Sequence, residues 1–148
     1  MPDFTARNPD FATHITESFY RQGLMQTFGA ELVSVEAGRV VIEQDFRDAL
    51  LHQHGALHGG ALATLLDTAC GFAAVSLLPV GKGISTIEFK TAFLSPGAGT
   101  RFRITGQVLK AGRSITFAEG RAVALAEKGE KLIATMTASM MTFALNPA

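Results

Sequence analysis

The run from Gly59 to Leu78 constrains this chain more than any other stretch, because it is apolar nearly all round and ends at Pro79. A helix of that character has no polar face to turn to water and needs a partner on every side. Its length raises the question of a membrane span. Asp67 near its centre, several Gly and Thr residues, and the lack of Lys or Arg close to either end argue against one. The expectation is a helix buried in protein, with no membrane partner. The rest of the chain can supply that cover: 47% of its 148 residues are apolar and 18% are charged, which suits one folded domain over residues 1–148.

Around the long helix the patterns are shorter. Phe11 to Phe28 reads as an amphipathic helix, with Phe11, Ile15, Phe19, Leu24 and Phe28 on one side and Gly29 as its stop. Ala30–Val35 and Arg39–Phe46 read as two strands joined by a turn at Glu36-Ala37-Gly38, and a loop rich in His and Gly follows. Beyond Pro79 come four strand patterns. Ser85–Leu94 places Ile87, Phe89 and Phe93 inside, with Glu88 and Lys90 outside. Arg101–Leu109 places Phe102, Ile104 and Val108 inside. Ser114–Ala126 and Lys131–Phe143 complete the set. Turn signals at Ser95-Pro96-Gly97, Ala111-Gly112 and Lys128-Gly129 imply hairpins and an antiparallel sheet. An antiparallel sheet curved around one long helix, with an extra helix at the N-terminus, is an α+β architecture of the hotdog type.

Charge and cysteine usage exclude several function classes. Thirteen basic residues balance thirteen acidic ones without a charge run, so no nucleic-acid partner is indicated. Cys70 is the sole cysteine and sits in apolar surroundings, which fits a reducing cytoplasm. Met1–Asp10 carries acids and prolines rather than a basic segment followed by an apolar one, so no signal peptide is expected.

The chemistry concentrates in Leu57-His58-Gly59-Gly60-Ala61-Leu62-Ala63-Thr64-Leu65-Leu66-Asp67. Two glycines open the helix, where unpaired first-turn amides and the positive end of the dipole can meet a ligand oxygen. A thioester carbonyl placed there would find donors for the oxyanion that forms on nucleophilic attack. Asp67 lies among Leu65, Leu66, Ala69, Cys70 and Phe72, and a carboxylate in such company either works or is paired. A carboxylate facing a solvent gap, or salt-bridged to an arginine of a strand, is the structural alternative.

Gly59 and Asp67 are eight positions apart, about 12 Å along a helix. One carbonyl cannot touch both on the same helix. Two antiparallel copies could bring Gly59 of one chain near Asp67 of the other, so the constellation requires a two-fold dimer with two shared sites.

His58-Gly59-Gly60, followed eight residues after the first glycine by an acid in an apolar helix, is similar to the signature of hotdog-fold acyl-CoA thioesterases of the phenylacetate-pathway type. Thr86-Ile87-Glu88-Phe89-Lys90 with Phe93-Leu94-Ser95-Pro96 resembles that family's first strand after the helix. Leu109-Lys110-Ala111-Gly112-Arg113-Ser114 resembles its next hairpin, and the likeness spans about residues 30 to 143. The resemblance implies hydrolysis of an acyl-CoA, aromatic or medium-chain, to free acid and CoA. It implies the Gly59 amide as oxyanion donor and Asp67 of the neighbouring subunit as nucleophile or general base. Thr86 would position the water, and His58 would orient the thioester or its loop. His52, Gly60, Lys110, Arg113 and Ser114 would contact the substrate, the last three at the CoA phosphates or pantetheine arm. Relatives commonly place Asn or Gln where this chain has His52; Gln53 beside it is the preferred candidate for that role. A homotetramer is expected from the resemblance. No cofactor or metal is called for, since water and a carboxylate suffice.

Three other readings compete. His52, His54 and His58, with Asp45 and Asp48 upstream, could bind zinc for metal-assisted hydrolysis, although no HExxH pattern or cysteine ligand accompanies them. A hotdog hydratase would also handle acyl thioesters, but its loop signatures are not matched. A non-catalytic acyl-CoA binding module leaves Asp67 without a task. Met136, Met140 and Met141 read as core or interface packing. Phe46, Phe72 and Phe93 could line an acyl pocket, with core packing the default for each.

Overall fold

The computed structural model describes residues 2–146, so the outermost ends of the domain expected over residues 1–148 lie outside the described residues. The elements are α1 (Phe11–Arg21), α2 (Gly23–Phe28), β1 (Glu31–Glu36), β2 (Arg39–Asp45), a 3-10 turn at Asp48–Leu50, α3 (Gly59–Val75), β3 (Lys82–Phe93), β4 (Arg101–Ala111), β5 (Ile115–Ala126) and β6 (Gly129–Ala144). The strands form one six-stranded sheet in the order β1-β2-β4-β5-β6-β3, and every neighbouring pair is antiparallel. The sheet wraps α3, which buries Leu62, Leu65, Leu66, Ala69, Cys70 and Ala73 against it. This is the hotdog fold expected from the sequence, with the N-terminal helical segment in place. No helix among the described residues is long and apolar enough to cross a membrane.

Phe102, Ile104 and Val108 are fully buried, as their alternation predicts, because β4 lies in the middle of the sheet beneath α3. Four expectations are corrected. The helix expected over 11–28 breaks at Gln22, whose ψ of 116° is extended, before α2 starts at Gly23. Ile15 and Phe19 of α1 and Met25 and Phe28 of α2 can both reach the core only with the chain turned there. The long helix keeps α geometry to Val75 rather than Leu78. Leu77 and Leu78 donate instead to the carbonyls of Ala74 and Val75, a tightened last turn ahead of Pro79. Ser95-Pro96-Gly97 is not a hairpin turn, since β3 crosses to the far edge and pairs with β6.

The fourth correction concerns Ile87, Phe89 and Phe93, which are 56%, 46% and 54% exposed. Phe89 and Phe93 sit opposite the buried Ala138 and Ala134 and share their face. They stay open because β3 is an edge strand and nothing among the described residues covers it. Ile87 falls in the irregularity between Thr86 and Glu88, where the pairing with β6 skips a residue.

Candidate active site

The site begins where the loop meets α3. His58 is the N-cap: its ring Nδ1 accepts from the Gly60 amide at 2.8 Å, and its carbonyl accepts from Ala61 and Leu62. An accepting Nδ1 carries no proton, so the His58 ring proton sits on Nε2. The Gly59 amide is thereby left as the one donor of the first turn without an acceptor among the described residues. The Phe93 ring stands against Gly59, so close that a methyl carbon on Gly59 would come within 3.0 Å of it. The loop that follows β3 is fastened to the segment before α3 by the Leu57 amide, which donates to the Gly97 carbonyl at 3.0 Å.

Two turns along α3, Asp67 accepts a 2.8 Å hydrogen bond at Oδ1 from the Thr86 hydroxyl of β3. Both side chains are half-buried, and they open into a cleft of about 220 Å³ with Gln22, Thr68, Gly71 and Ile84 among its walls. The arginine partner considered for Asp67 from sequence is not there: its hydrogen-bond partner is Thr86. The carboxylate keeps Oδ2 free of protein donors among the described residues, so the cleft presents an acceptor beside the Thr86 hydroxyl, in a wall where Gln22 and Thr68 alternate with Phe72, Val75 and Ile84.

The other expected residues are placed differently. His52, Gln53 and His54 form a compact loop in which His52 Nδ1 accepts from the His54 amide at 3.0 Å, and Gln53 is exposed. Neither His52 nor Gln53 hydrogen-bonds to Asp67 or Thr86. The three histidines do not converge: the Nδ1 atoms of His52 and His58 are occupied by backbone amides, and no metal-binding group of His, Cys, Asp or Glu occurs among the described residues. Arg113 and Ser114 line a second groove of about 230 Å³ together with Arg7 and Lys82. Lys110 is not part of that groove; it pairs opposite Phe117 on β5. Cys70, behind Asp67, has its thiol pushed up to about 12 by burial, with the charges of Asp67 and Glu119 adding to the effect. It is no nucleophile at ordinary pH.

Gln22, Gly71 and Phe93's position against Gly59 were not found by sequence reasoning as site features. The dipeptide Gln22-Gly23 was the available signal for a break that carries Gln22 to the cleft.

The family profile described as the thioesterase superfamily matches residues 54–142, more than half of the chain, with His58, Gly59, Asp67 and Thr86 inside the match. The chain belongs to that superfamily, a family of thioester hydrolases. A crystal structure of a thioesterase family protein from Silicibacter pomeroyi is 42% identical, with a TM-score of 0.88 over 90% of this chain and 98% of that one. The medium/long-chain acyl-CoA thioesterase YigI of Salmonella typhimurium is 35% identical over 98 residues, 57% of this chain and 61% of that protein. The chain thus spans about three fifths of that relative's length. The PaaI protein from the phenylacetic acid degradation operon of Escherichia coli shares the fold, with a TM-score of 0.81 at 21% identity over 92% of this chain and 97% of that one.

Proposed function

We propose that the protein is an acyl-CoA thioesterase working as a two-fold dimer, with Asp67 of one subunit and the Gly59 amide of the other serving one thioester. The observation that carries this reading is the Thr86–Asp67 hydrogen bond at the mouth of a cleft. A hydroxyl that donates to the carboxylate still has lone pairs to accept from a water. Thr86 Oγ1 and Asp67 Oδ2 can therefore hold the two protons of one water molecule, which favours Asp67 as general base over nucleophile. The water attacks the carbonyl carbon, its proton passes to Asp67, and the oxyanion is met by the Gly59 amide at the positive end of α3. Collapse of the tetrahedral species breaks the C–S bond, and the proton held by Asp67 leaves with the CoA thiol.

The dimer is supported by what one chain leaves uncovered. Gly60, Thr64, Asp67 and Thr68 make a stripe of α3 that is not fully buried, beside an edge strand that exposes Ile87, Phe89 and Phe93. A second copy laid antiparallel on this face would bury both and complete the site. Exposed Leu109, Phe117 and Met141 elsewhere on the sheet offer a further surface for the expected tetramer. Arg113 and Ser114, with Arg7 and Lys82 beside them, are the residues suited to the CoA phosphates.

Release of thiol from a panel of acyl-CoAs by EDTA-treated protein tests the reading. Wild type is expected to turn over at least one of them. Asp67→Asn is expected to lose at least about a hundredfold in kcat while keeping its fold, the scale of losing a general base. An Asp67→Asn variant as fast as wild type would remove Asp67 from the chemistry, and activity abolished by EDTA would return the histidine loop to consideration.

A further inference from the structure

Gly71 lies inside α3, one turn beyond Asp67 on the same side of the helix. A glycine within a helix costs about 1 kcal/mol relative to alanine, so its presence calls for a reason. Backbone conformation supplies none, since Gly71 is not among the positive-φ residues. Packing among the described residues supplies none either: a methyl carbon on Gly71 would meet nothing of them within 4 Å. Other glycines under this helix differ. At Gly106 the same carbon would fall 2.3 Å from the Ala69 backbone, and at Gly120 it would fall 2.9 Å from Leu66. Those two let the helix and sheet approach each other, whereas Gly71 faces open space.

That space belongs to the cleft that starts at Asp67 and Thr86. Away from this polar pair, Phe72 and Val75 of α3 and Ile84 of β3 line it, and the break between α1 and α2 sets Gln22 at its wall. Phe72 is held from behind by the Phe19 ring, 6.1 Å away centroid to centroid, which makes that wall a fixed one. From Asp67 to Val75 the helix runs about 12 Å. A pantetheine arm laid there would run for much of its length against Phe72, Val75 and Ile84, with only Gln22 and Thr68 to serve its two amides, and buried amides without partners are costly. An acyl group suits the same surface.

Resting on the thioesterase reading of Asp67, we infer that the acyl group of the substrate lies over Gly71, between Phe72, Val75 and Ile84. Gly71 is then a specificity-determining residue whose missing side chain sets how large an acyl group the enzyme accepts. A side chain at position 71 grows into the acyl site without disturbing the fold.

The experiment compares wild type, Gly71→Ala, Gly71→Val and the Asp67→Asn control against acetyl-, hexanoyl-, decanoyl- and phenylacetyl-CoA, with melting temperature and solution mass recorded for each. Gly71→Ala is expected to melt no lower than wild type. Gly71→Val is expected to lose at least about tenfold more in kcat/KM on the larger groups than on acetyl-CoA, the scale a pocket exerts over a methylene or more. An equal loss on all four substrates would overturn the inference by giving the space to the CoA arm. A Gly71→Val protein of reduced mass would overturn it by giving the space to a partner helix. An unchanged acyl profile beside an inactive Asp67→Asn would overturn this inference alone, and a wild type inert toward every acyl-CoA would overturn the thioesterase reading along with it.

Discussion

Removing the Thr86 hydroxyl would leave Asp67 Oδ1 without the one hydrogen-bond donor it has among the described residues. A hydrogen bond to a charged group is worth about 1.5–3 kcal/mol. If Thr86 and Asp67 share the attacking water, Thr86→Ala should lower kcat roughly tenfold to a hundredfold with KM little changed, and Thr86→Ser should keep most of the rate. Steady-state kinetics on one good acyl-CoA would check it; a loss confined to KM would mean that Thr86 binds substrate instead. The resemblance set Thr86 at the water served by Asp67, but their direct hydrogen bond was not legible, because the two are nineteen positions apart and meet only through the packing of α3 on β3. Asp67 and the paired glycines were legible singly. One was a charge in an apolar run, and the others were side-chain-free residues at a helix start. Which amide stays free was not legible, since it depends on the His58 ring turning back to Gly60.

At the scale of elements, α3 presses into the sheet through Gly106 and Gly120, which sit opposite each other on β4 and β5. A methyl carbon on Gly106 would lie within 2.5 Å of backbone atoms of Ala69 and Cys70, which cannot swing aside as a side chain can. Gly106→Ala should therefore cost on the order of 3 kcal/mol, and Gly120→Ala, which meets the Leu66 and Cys70 side chains, distinctly less. Urea midpoints of the two variants would show the order, and equal midpoints would contradict it. Long periodic elements were readable from sequence: α3 from its apolar run, and β4 from the alternation of Phe102, Ile104 and Val108. What failed was information carried by tertiary placement. The alternation in β3 marked a face correctly for Phe89 and Phe93 but could not say that the strand lies at an edge. The turn signal after β3 could not distinguish a hairpin from a crossover, and hydrophobic spacing ran unbroken across the extended residue at Gln22.

Over the whole molecule, an ionic network centred on β4 ties β1, β2 and β6 to it. Arg101 bonds to Glu31, Glu43 and Asp45, and Arg103 bonds to Glu43 and Glu130. Burial would raise the Glu43 carboxyl, but its hydrogen bonds to Arg101 and Arg103, with their charges, outweigh that and hold it below its ordinary value of 4.5. A carboxyl depressed on folding adds stability that is present above its unfolded value and is lost as pH falls through its folded value. Glu43→Gln should thus be less stable at neutral pH and lose less on acidification below about 4.5. Chemical unfolding at pH 7 and at pH 3 measures this, and parallel losses in both proteins would rule Glu43 out. The same three carboxylates raise Arg101, which keeps its charge throughout and adds no pH dependence of its own. One consequence of scale follows from the proposed sharing of sites and from Gly59 and Asp67 lying on one rigid helix. No polypeptide owns a finished active centre, and each helix is half of two. A defect at either end then behaves as a recessive lesion of a particular kind. A chain damaged at position 59 paired with a chain damaged at position 67 concentrates both faults in one centre and leaves the other whole, so two dead proteins, once they exchange subunits, make a living one.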